Sequence, residues 1–241
     1  MNRFFAEKST IGETVTLTDE NAHHITNVLR LQKSDEIIVC DLEGTDYRCV
    51  IESLHTKKVT AAILSSAANT AEPAARITLY QGYPKGDKLD FIIQKAVELG
   101  VYKIVPVVTE FSVKRPEGKA AKTARFMRIS EAAAKQSGRG IIPEVCEVQK
   151  LSDVVKTVCK NGLAMVAYEK EQHESIKGKI NKLVSEISVF IGPEGGFSVK
   201  EIEYMTSLGV ATVSLGKRIL RTETAGIYML AVIDYELGCC L

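Results

Sequence analysis

Four side chains in two short loops could do chemistry: Glu194 in the run Gly192, Pro193, Glu194, Gly195, Gly196, and Arg218, Arg221 and Glu223 within residues 215–225. A carboxylate held in place can take up a proton. A guanidinium can hold an oxygen that gathers negative charge, through a charge-assisted and sometimes bidentate contact. Pro193 fixes its own φ, while Gly195 and Gly196 permit positive φ and let a ligand reach the backbone without meeting a Cβ. For Glu223 there is a plain alternative, since a carboxylate in the first turn of a helix is favoured by the helix dipole whatever else it does. For Arg221 the alternative is a phosphate or subunit contact.

The elements around the loops must position them. Ile187, Val189, Phe190 and Ile191 form an apolar run with almost no polar alternation, which predicts a buried parallel strand ending at Gly192. Ser198 has the profile of an N-cap, with Glu201 completing a capping box and Phe197 placed to staple against Ile202; Gly209 suits the stop. Val210, Ala211, Val213 and Leu215 then predict a second buried strand ending at Gly216. Thr222 is the predicted N-cap of a helix that is apolar nearly all round and stops at Gly238. Two adjacent strand ends with glycine loops predict a ligand crevice in an open α/β sheet, although ordinary strand-to-helix turns have the same spacing.

At 241 residues, 25% charged and 45% apolar, the chain has the composition of a globular protein with room for one large or two modest domains. No apolar run reaches the length of a membrane span, and the first residues lack a long apolar signal core, so a cytoplasmic protein is expected. The six cysteines, Cys40, Cys49, Cys146, Cys159, Cys239 and Cys240, show neither metal-ligand spacing nor a disulfide framework, and reduced structural thiols are expected.

Residues 1–72 read as a small domain of short strands at about 14–17, 36–41, 47–53 and 57–64, barrel-like, with a Gly44-centred hairpin and a short helix capped by Thr18. On that helix Ala22, Ile25, Val28 and Leu29 form the apolar face; His23 and His24, being adjacent, cannot face one ligand and are expected at the surface. Residues 65–76 read as a linker around Pro73. From 73 to 241 strand candidates alternate with helical patterns, which predicts a mostly parallel sheet covered on both faces.

Charge is unevenly spread. Between 114 and 139 eight basic residues (Lys114, Arg115, Lys119, Lys122, Arg125, Arg128, Lys135, Arg139) face two acidic ones (Glu117, Glu131), whereas residues 1–72 carry 7 basic against 11 acidic. A helix presenting Lys122, Arg125, Arg128 and Lys135 on a common side suits a phosphate backbone, and a solvated helix face would look the same.

These loops and the basic segment occur together with Arg3, Phe4 and Phe5 at the start and a His-x-x-x-Val-Leu-Arg run ending at Arg30. They also occur with Lys88, Asp90, Gln94, Lys95, Glu98 and Leu99, with Glu131, Ala132, Gln136, Ser137 and Arg139, and with the run from Leu215 and Gly216 through Arg218, Ile219, Leu220, Arg221, Thr222, Glu223 and Thr224 to Ala225. In this combination the chain resembles the RsmE family of 16S ribosomal RNA uridine-N3 methyltransferases, of the SPOUT superfamily. Lys217 stands where many members would be expected to carry proline, a difference that bears on loop stiffness.

The resemblance implies an α/β protein in which a small PUA-like β-barrel domain (1–72) binds RNA and precedes a mostly parallel α/β methyltransferase domain (73–241) with a C-terminal trefoil knot. Pattern rules alone would not propose the knot. It further implies S-adenosyl-L-methionine as cofactor, a homodimer, no metal, and 16S rRNA or the assembled small ribosomal subunit as partner. The implied cofactor walls are Gly192, Gly195, Gly196, Leu215, Gly216, Ile219 and Leu220, with the last two sandwiching the adenine. Arg3, Arg30, Lys122, Arg125, Arg128 and Arg139 are the implied RNA contacts. Uridine N3 carries a proton that must leave before its lone pair can attack a methyl group. Arg221 with Glu223 are the favoured catalytic pair, with Glu194 and Arg218 next. Two other readings stay open: a methyltransferase acting on another RNA position, and a noncatalytic RNA-binding assembly protein.

Overall fold

The computed structural model describes residues 1–112, 119–158, 162–180 and 183–238. Among them the chain forms two compact units, Met1–Glu72 with Ala134–Ile142, and Pro73–Ala133 with Pro143–Leu241. No helix in the described residues is long and apolar enough to cross a membrane.

The first unit is a curled five-stranded sheet of β1 (Asn2–Phe5), β2 (Thr14–Thr18), β3 (Glu36–Cys40), β4 (Thr45–His55) and β5 (Lys58–Ala68), in the order β1-β3-β4-β5-β2. Only the β1–β3 pair is parallel. Register shifts in β4 between Arg48 and Cys49 and between Ile51 and Ser53 accentuate the twist. The sheet closes over a core that includes Phe4, Val15, Leu17, Ile25, Ile37, Val39 and Ile51. Helix α1 (Asp19–His23) runs straight into one π-helical stretch, His24–Val28.

Several expectations change here. The strand β5 runs on to Ala68, so the first third of the supposed linker is paired with β4, from Arg48 opposite Ser65 to Thr45 opposite Ala68. Pairing supplies what the weak strand propensity of these small residues does not. Val28 is exposed, because the π-helical turn rotates it off the face that buries Ala22 and Ile25. Thr18 flanks α1 without a side-chain capping bond. His23 and His24 are both exposed, as expected.

Arg3 and Arg139 stand apart from the RNA-contact expectation. Arg3 makes a two-pronged bond to Asp46, 2.6 and 2.7 Å, and its side chain is 9% exposed. Arg139, 2% exposed, is held by both carboxylate oxygens of Glu72 at 2.8 and 2.6 Å. Asn69 ties the two clusters by donating to Asp46 and to the Gly138 carbonyl. A guanidinium buried this way needs a partner, and these have internal ones.

The second unit holds β6 (Arg76–Gly82), α2 (Lys88–Glu98), β7 (Lys103–Val108), α3 (Lys119–Ser137), β8 (Glu144–Val145), β9 (Gln149–Lys150), α4 (Leu151–Val158), β10 (Leu163–Ala167), β11 (Glu186–Ile191), α5 (Val199–Ser207), β12 (Ala211–Val213) and α6 (Thr222–Leu237); the last four residues of α3 fall with the first unit. Its sheet runs β12-β10-β11-β6-β7-β8, with β9 also on β7, and every pairing is parallel. Central β11 is buried between β10 and β6, and Phe190 stacks on Tyr80 of β6 with ring centroids 4.5 Å apart. The capping box at Ser198 and Glu201 forms as expected, and Gly209 takes φ +92° just past α5.

Of the basic segment, Lys114, Arg115 and Glu117, and the side chain of Lys119, lie outside the described residues. Lys122, Arg125 and Arg128 are exposed on α3, although Arg125 is paired with Asp90 of α2. Cys40, Cys49 and Cys146 are free thiols, and burial pushes Cys40 and Cys49 up to about 11; Cys159, Cys239 and Cys240 are outside the described residues.

Candidate active site

The glycine loop stands at the carboxyl end of β11, and a cleft of about 500 Å³ opens over it. Its walls include Gly192, Glu194, Gly195, Gly196, Leu215, Gly216, Arg218, Ile219, Leu220 and Arg221, so ten of the eleven residues expected for cofactor or catalysis are brought together. The eleventh, Glu223, lies one helical step behind, on the first turn of α6.

The loop is held by close backbone packing. A Cβ on Gly82, at the end of β6, would come within 2.4 Å of the Pro193 nitrogen, so only glycine lets the loop rest there. A Cβ on Gly192 would lie 2.9 Å from the Gly196 Cα. Of the two glycines expected to permit positive φ, only Gly196 uses it, at +69°. Gly195 is bare for another reason: its Cβ would meet Phe111 at 2.9 Å.

Thr222 was the expected N-cap of α6, but that place belongs to Arg221, which makes no side-chain capping bond. Thr222 instead faces inward. Its hydroxyl donates to the Gly192 carbonyl at 2.6 Å and accepts from the buried Gln81 side-chain amide at 2.8 Å. The start of α6, the end of β6 and the glycine loop are thus joined through one hydroxyl. Thr222→Val keeps the shape and strands both partners, so unfolding stability should fall by about 1–3 kcal/mol. Chemical denaturation checks this; an unchanged midpoint would remove the hydroxyl from the loop's support.

Lys88, a residue given no role from the sequence, meets both carboxylates. Its ammonium is 2.9 Å from Glu194 Oε1 and 3.6 Å from Glu223 Oε2. Glu194 also accepts from the Lys85 backbone amide at 3.1 Å. Burial works against the charge on Glu194, but the bonds from Lys88 and the backbone outweigh it and hold its pKa below the ordinary 4.5. That tie therefore stabilises the fold above the ordinary glutamate range and is lost as pH falls through the lowered value. The hydrogen bond that Lys88 donates to Glu194 correspondingly raises the pKa of Lys88. Glu223 is different: its side chain is 18% exposed and its buried Oε2 has no hydrogen-bond partner.

The second loop is open. Lys217, Arg218, Ile219 and Arg221 are exposed, Ile219 by 91%. Leu215 lies past β12 rather than in it, and Gly216 takes φ +100°. A third segment, which the sequence reading missed, completes the cleft: Ala167, Tyr168 and Glu169 at the end of β10, with Ser214 opposite. Strand order explains the omission, since β10 lies between β11 and β12 in the sheet and nothing in the local sequence announces that.

Glycine loops and charged side chains at the carboxyl ends of a parallel sheet make the crevice where an open α/β sheet typically takes its ligand. Comparison with known proteins gives the family. A profile described as an RNA methyltransferase domain matches residues 70–234, and one described as an RNA methyltransferase PUA domain matches residues 17–64. The chain belongs to this RNA methyltransferase family, and the protein is an RNA methyltransferase. It is 34% identical to the ribosomal RNA small subunit methyltransferase E of Bacillus subtilis, over 98% of this chain and 97% of the relative. With the protein of that name from Aquifex aeolicus it shares 32% identity, over 97% and 99%. The crystal structure of a ribosomal RNA small subunit methyltransferase E from Neisseria gonorrhoeae bound to S-adenosyl methionine superposes with a TM-score of 0.89, at 32% identity, covering 98% of this chain and 97% of the other.

Proposed function

We propose that the cleft binds S-adenosyl-L-methionine and that the protein methylates N3 of a uridine in 16S rRNA, as naked RNA or in the small ribosomal subunit. The observation that carries this is the gathering of both glycine loops, two arginines and two carboxylates around one cleft of about 500 Å³, large enough for a nucleoside cofactor. The residues fit that group: bare backbone at Gly192, Gly196 and Gly216, and apolar faces at Leu215, Ile219 and Leu220 for an adenine. When bound, S-adenosylmethionine supplies a methyl group on a cationic sulfur that leaves as a neutral thioether, which asks for no metal.

Glu223 takes the proton from uridine N3, because its Oε2 accepts no hydrogen bond and meets Lys88 only as an ion pair at 3.6 Å, whereas Glu194 is hydrogen-bonded by Lys88 at 2.9 Å and by the Lys85 amide. Arg221 holds the uracil oxygen that gathers charge as that proton leaves, and Arg218 is placed on the same rim. Lys88 fixes both glutamates. Isothermal calorimetry with S-adenosylmethionine tests the cofactor part: one site per chain is expected, and no heat would overturn it.

Residues 1–72 act in this account as a PUA-like RNA-binding domain and 73–241 as the catalytic domain. Return of the chain from the edge strand β12 to α6, which packs on α2, β6 and β11, supports a knotted threading of the second loop. Exposed Lys122, Arg125 and Arg128 with Arg30 contact RNA, and a ribosomal RNA substrate supports a cytoplasmic setting. Neutralising the three α3 residues should weaken RNA binding and flatten its salt dependence by about 0.7–0.9 log units per lost phosphate contact. Filter binding across a salt series reads this, and an unaltered slope would make α3 a merely solvated face.

The helix α6 supports the homodimer. It was expected to be buried nearly all round, yet Thr224, Tyr228, Ala231 and Tyr235 lie exposed at helical spacing, the tyrosines by 42% and 72%. Such a stripe on the main C-terminal helix fits a second copy of itself. Tyr228→Glu with Tyr235→Glu should give a monomer in sedimentation equilibrium; a wild-type monomer, or a dimer that survives both changes, would contradict the pairing.

A further inference from the structure

Three loops meet over the cleft, and the middle one carries an acid that the catalytic account leaves unused. In the sheet β10 separates β11 from β12, so the loop after β10 lies between the two glycine-bearing loops. Glu169 stands near its start and lines the cleft. Both its carboxylate oxygens are 3.5 Å from the place a Cβ on Gly196 would occupy, so they look onto bare glycine backbone.

Three glutamates near this floor have different lives. Glu194 is paired with Lys88. Glu171 accepts from the backbone amides of His173 at 3.0 Å and Glu174 at 3.2 Å and from the Thr212 hydroxyl at 2.7 Å, and these bonds lower its pKa to about 2. Glu169 has no hydrogen bond or ion pair within the described structure. Its loop is nonetheless fixed: Glu171 ties it to β12, and the Ser214 amide donates to the Glu174 carbonyl at 2.7 Å. An unpartnered carboxylate on a braced loop inside a ligand cleft is preorganised for a ligand's donors.

We propose that Glu169 recognises the ribose diol of the adenosine cofactor, an inference that rests on the cofactor reading above. A carboxylate accepting from sugar hydroxyls is the chemistry by which an acidic residue reads ribose in other α/β nucleotide sites. Position decides between the sugar and the cofactor's ammonium. The apolar Leu215, Ile219 and Leu220 of the β12 side suit the adenine, while Arg221, Glu223, Lys88 and Glu194 gather toward β11 and β6. The β10 loop lies between, where the sugar joins the base to the reacting end.

Calorimetry of wild type, Glu169→Gln and Glu169→Ala with S-adenosylhomocysteine and with 5′-methylthioadenosine, which keeps base and ribose but lacks the amino acid, separates the possibilities. Affinity of both ligands should fall tenfold or more in Glu169→Ala. Because Glu169 is exposed and unpaired, thermal midpoints should match the wild type, so a loss of affinity reports contact rather than unfolding. Weaker S-adenosylhomocysteine binding with unchanged methylthioadenosine binding would assign Glu169 to the amino-acid end and overturn the proposal, as would unchanged affinity for both. A wild type that binds neither ligand would instead strike the cofactor reading itself.

Discussion

Arg221→Ala should lower the single-turnover methylation rate about a hundredfold or more while leaving S-adenosylmethionine affinity nearly intact. The guanidinium lies on the rim of the cleft, exposed, and makes no capping bond to α6, so its removal costs little stability. In the proposed reaction its value lies in the charge that builds on the uracil oxygens as N3 loses its proton. An interaction stronger in the transition state than in the ground state appears in turnover and not in binding. Loss of one preorganised donor of this kind is worth on the order of 3 kcal/mol. Glu223→Gln gives the complementary result. If Glu223 is the base, this variant should recover as pH rises, because uridine N3 then loses its proton to solvent, whereas an enzyme damaged in folding or RNA docking should not recover. Near-normal rates for both variants at neutral pH would pass the chemistry to Glu194 and Arg218.

Gly196→Val should reduce cofactor affinity roughly tenfold to a hundredfold, the range expected from about 1–3 kcal/mol of strain at a left-handed position. At φ +69° valine is strained by its own backbone, and its Cβ would point toward Glu169 across the cleft floor. Relief of that strain moves the loop. Gly195→Val acts by a different route, displacing Phe111 first, so comparison of the two separates direct loss of the ligand wall from repacking beside it. Calorimetry with a parallel check of the near-ultraviolet spectrum reads both. Full affinity in Gly196→Val would place the ligand elsewhere.

How much of this could be read beforehand follows from what is local. The buried strand β11, the bare turn after it, the Ser198 capping box and the stop at Gly209 are written within a few residues of one another, and each appears as expected. The parallel alternation of the second unit is likewise a pattern along the chain. Strand order is not, which is why Tyr168 and Glu169 went unseen even though they lie between the two loops that were recognised. Charged side chains mislead for a related reason. Arg3 and Arg139 carry the composition of an RNA contact, but Asp46 and Glu72, distant in sequence, bury them. Lys88 meets both glutamates, Glu194 at 2.9 Å and Glu223 at 3.6 Å, through contacts more than a hundred residues away along the chain. Thr222 looked like a cap because its residue type suits one, and the hydroxyl instead holds the glycine loop.

If methyl transfer occurs at a uridine nitrogen of 16S rRNA with this cleft holding the cofactor, the product itself will show it. Purified protein should be incubated with labelled S-adenosylmethionine and small subunits from cells lacking its gene, and the rRNA digested and mapped by mass spectrometry. One methyl group is expected, on N3 of a single uridine, and none when Arg221→Ala protein is used for the same short time. A methyl group on carbon, ribose oxygen or another base, or none under conditions where the cofactor binds, would contradict it.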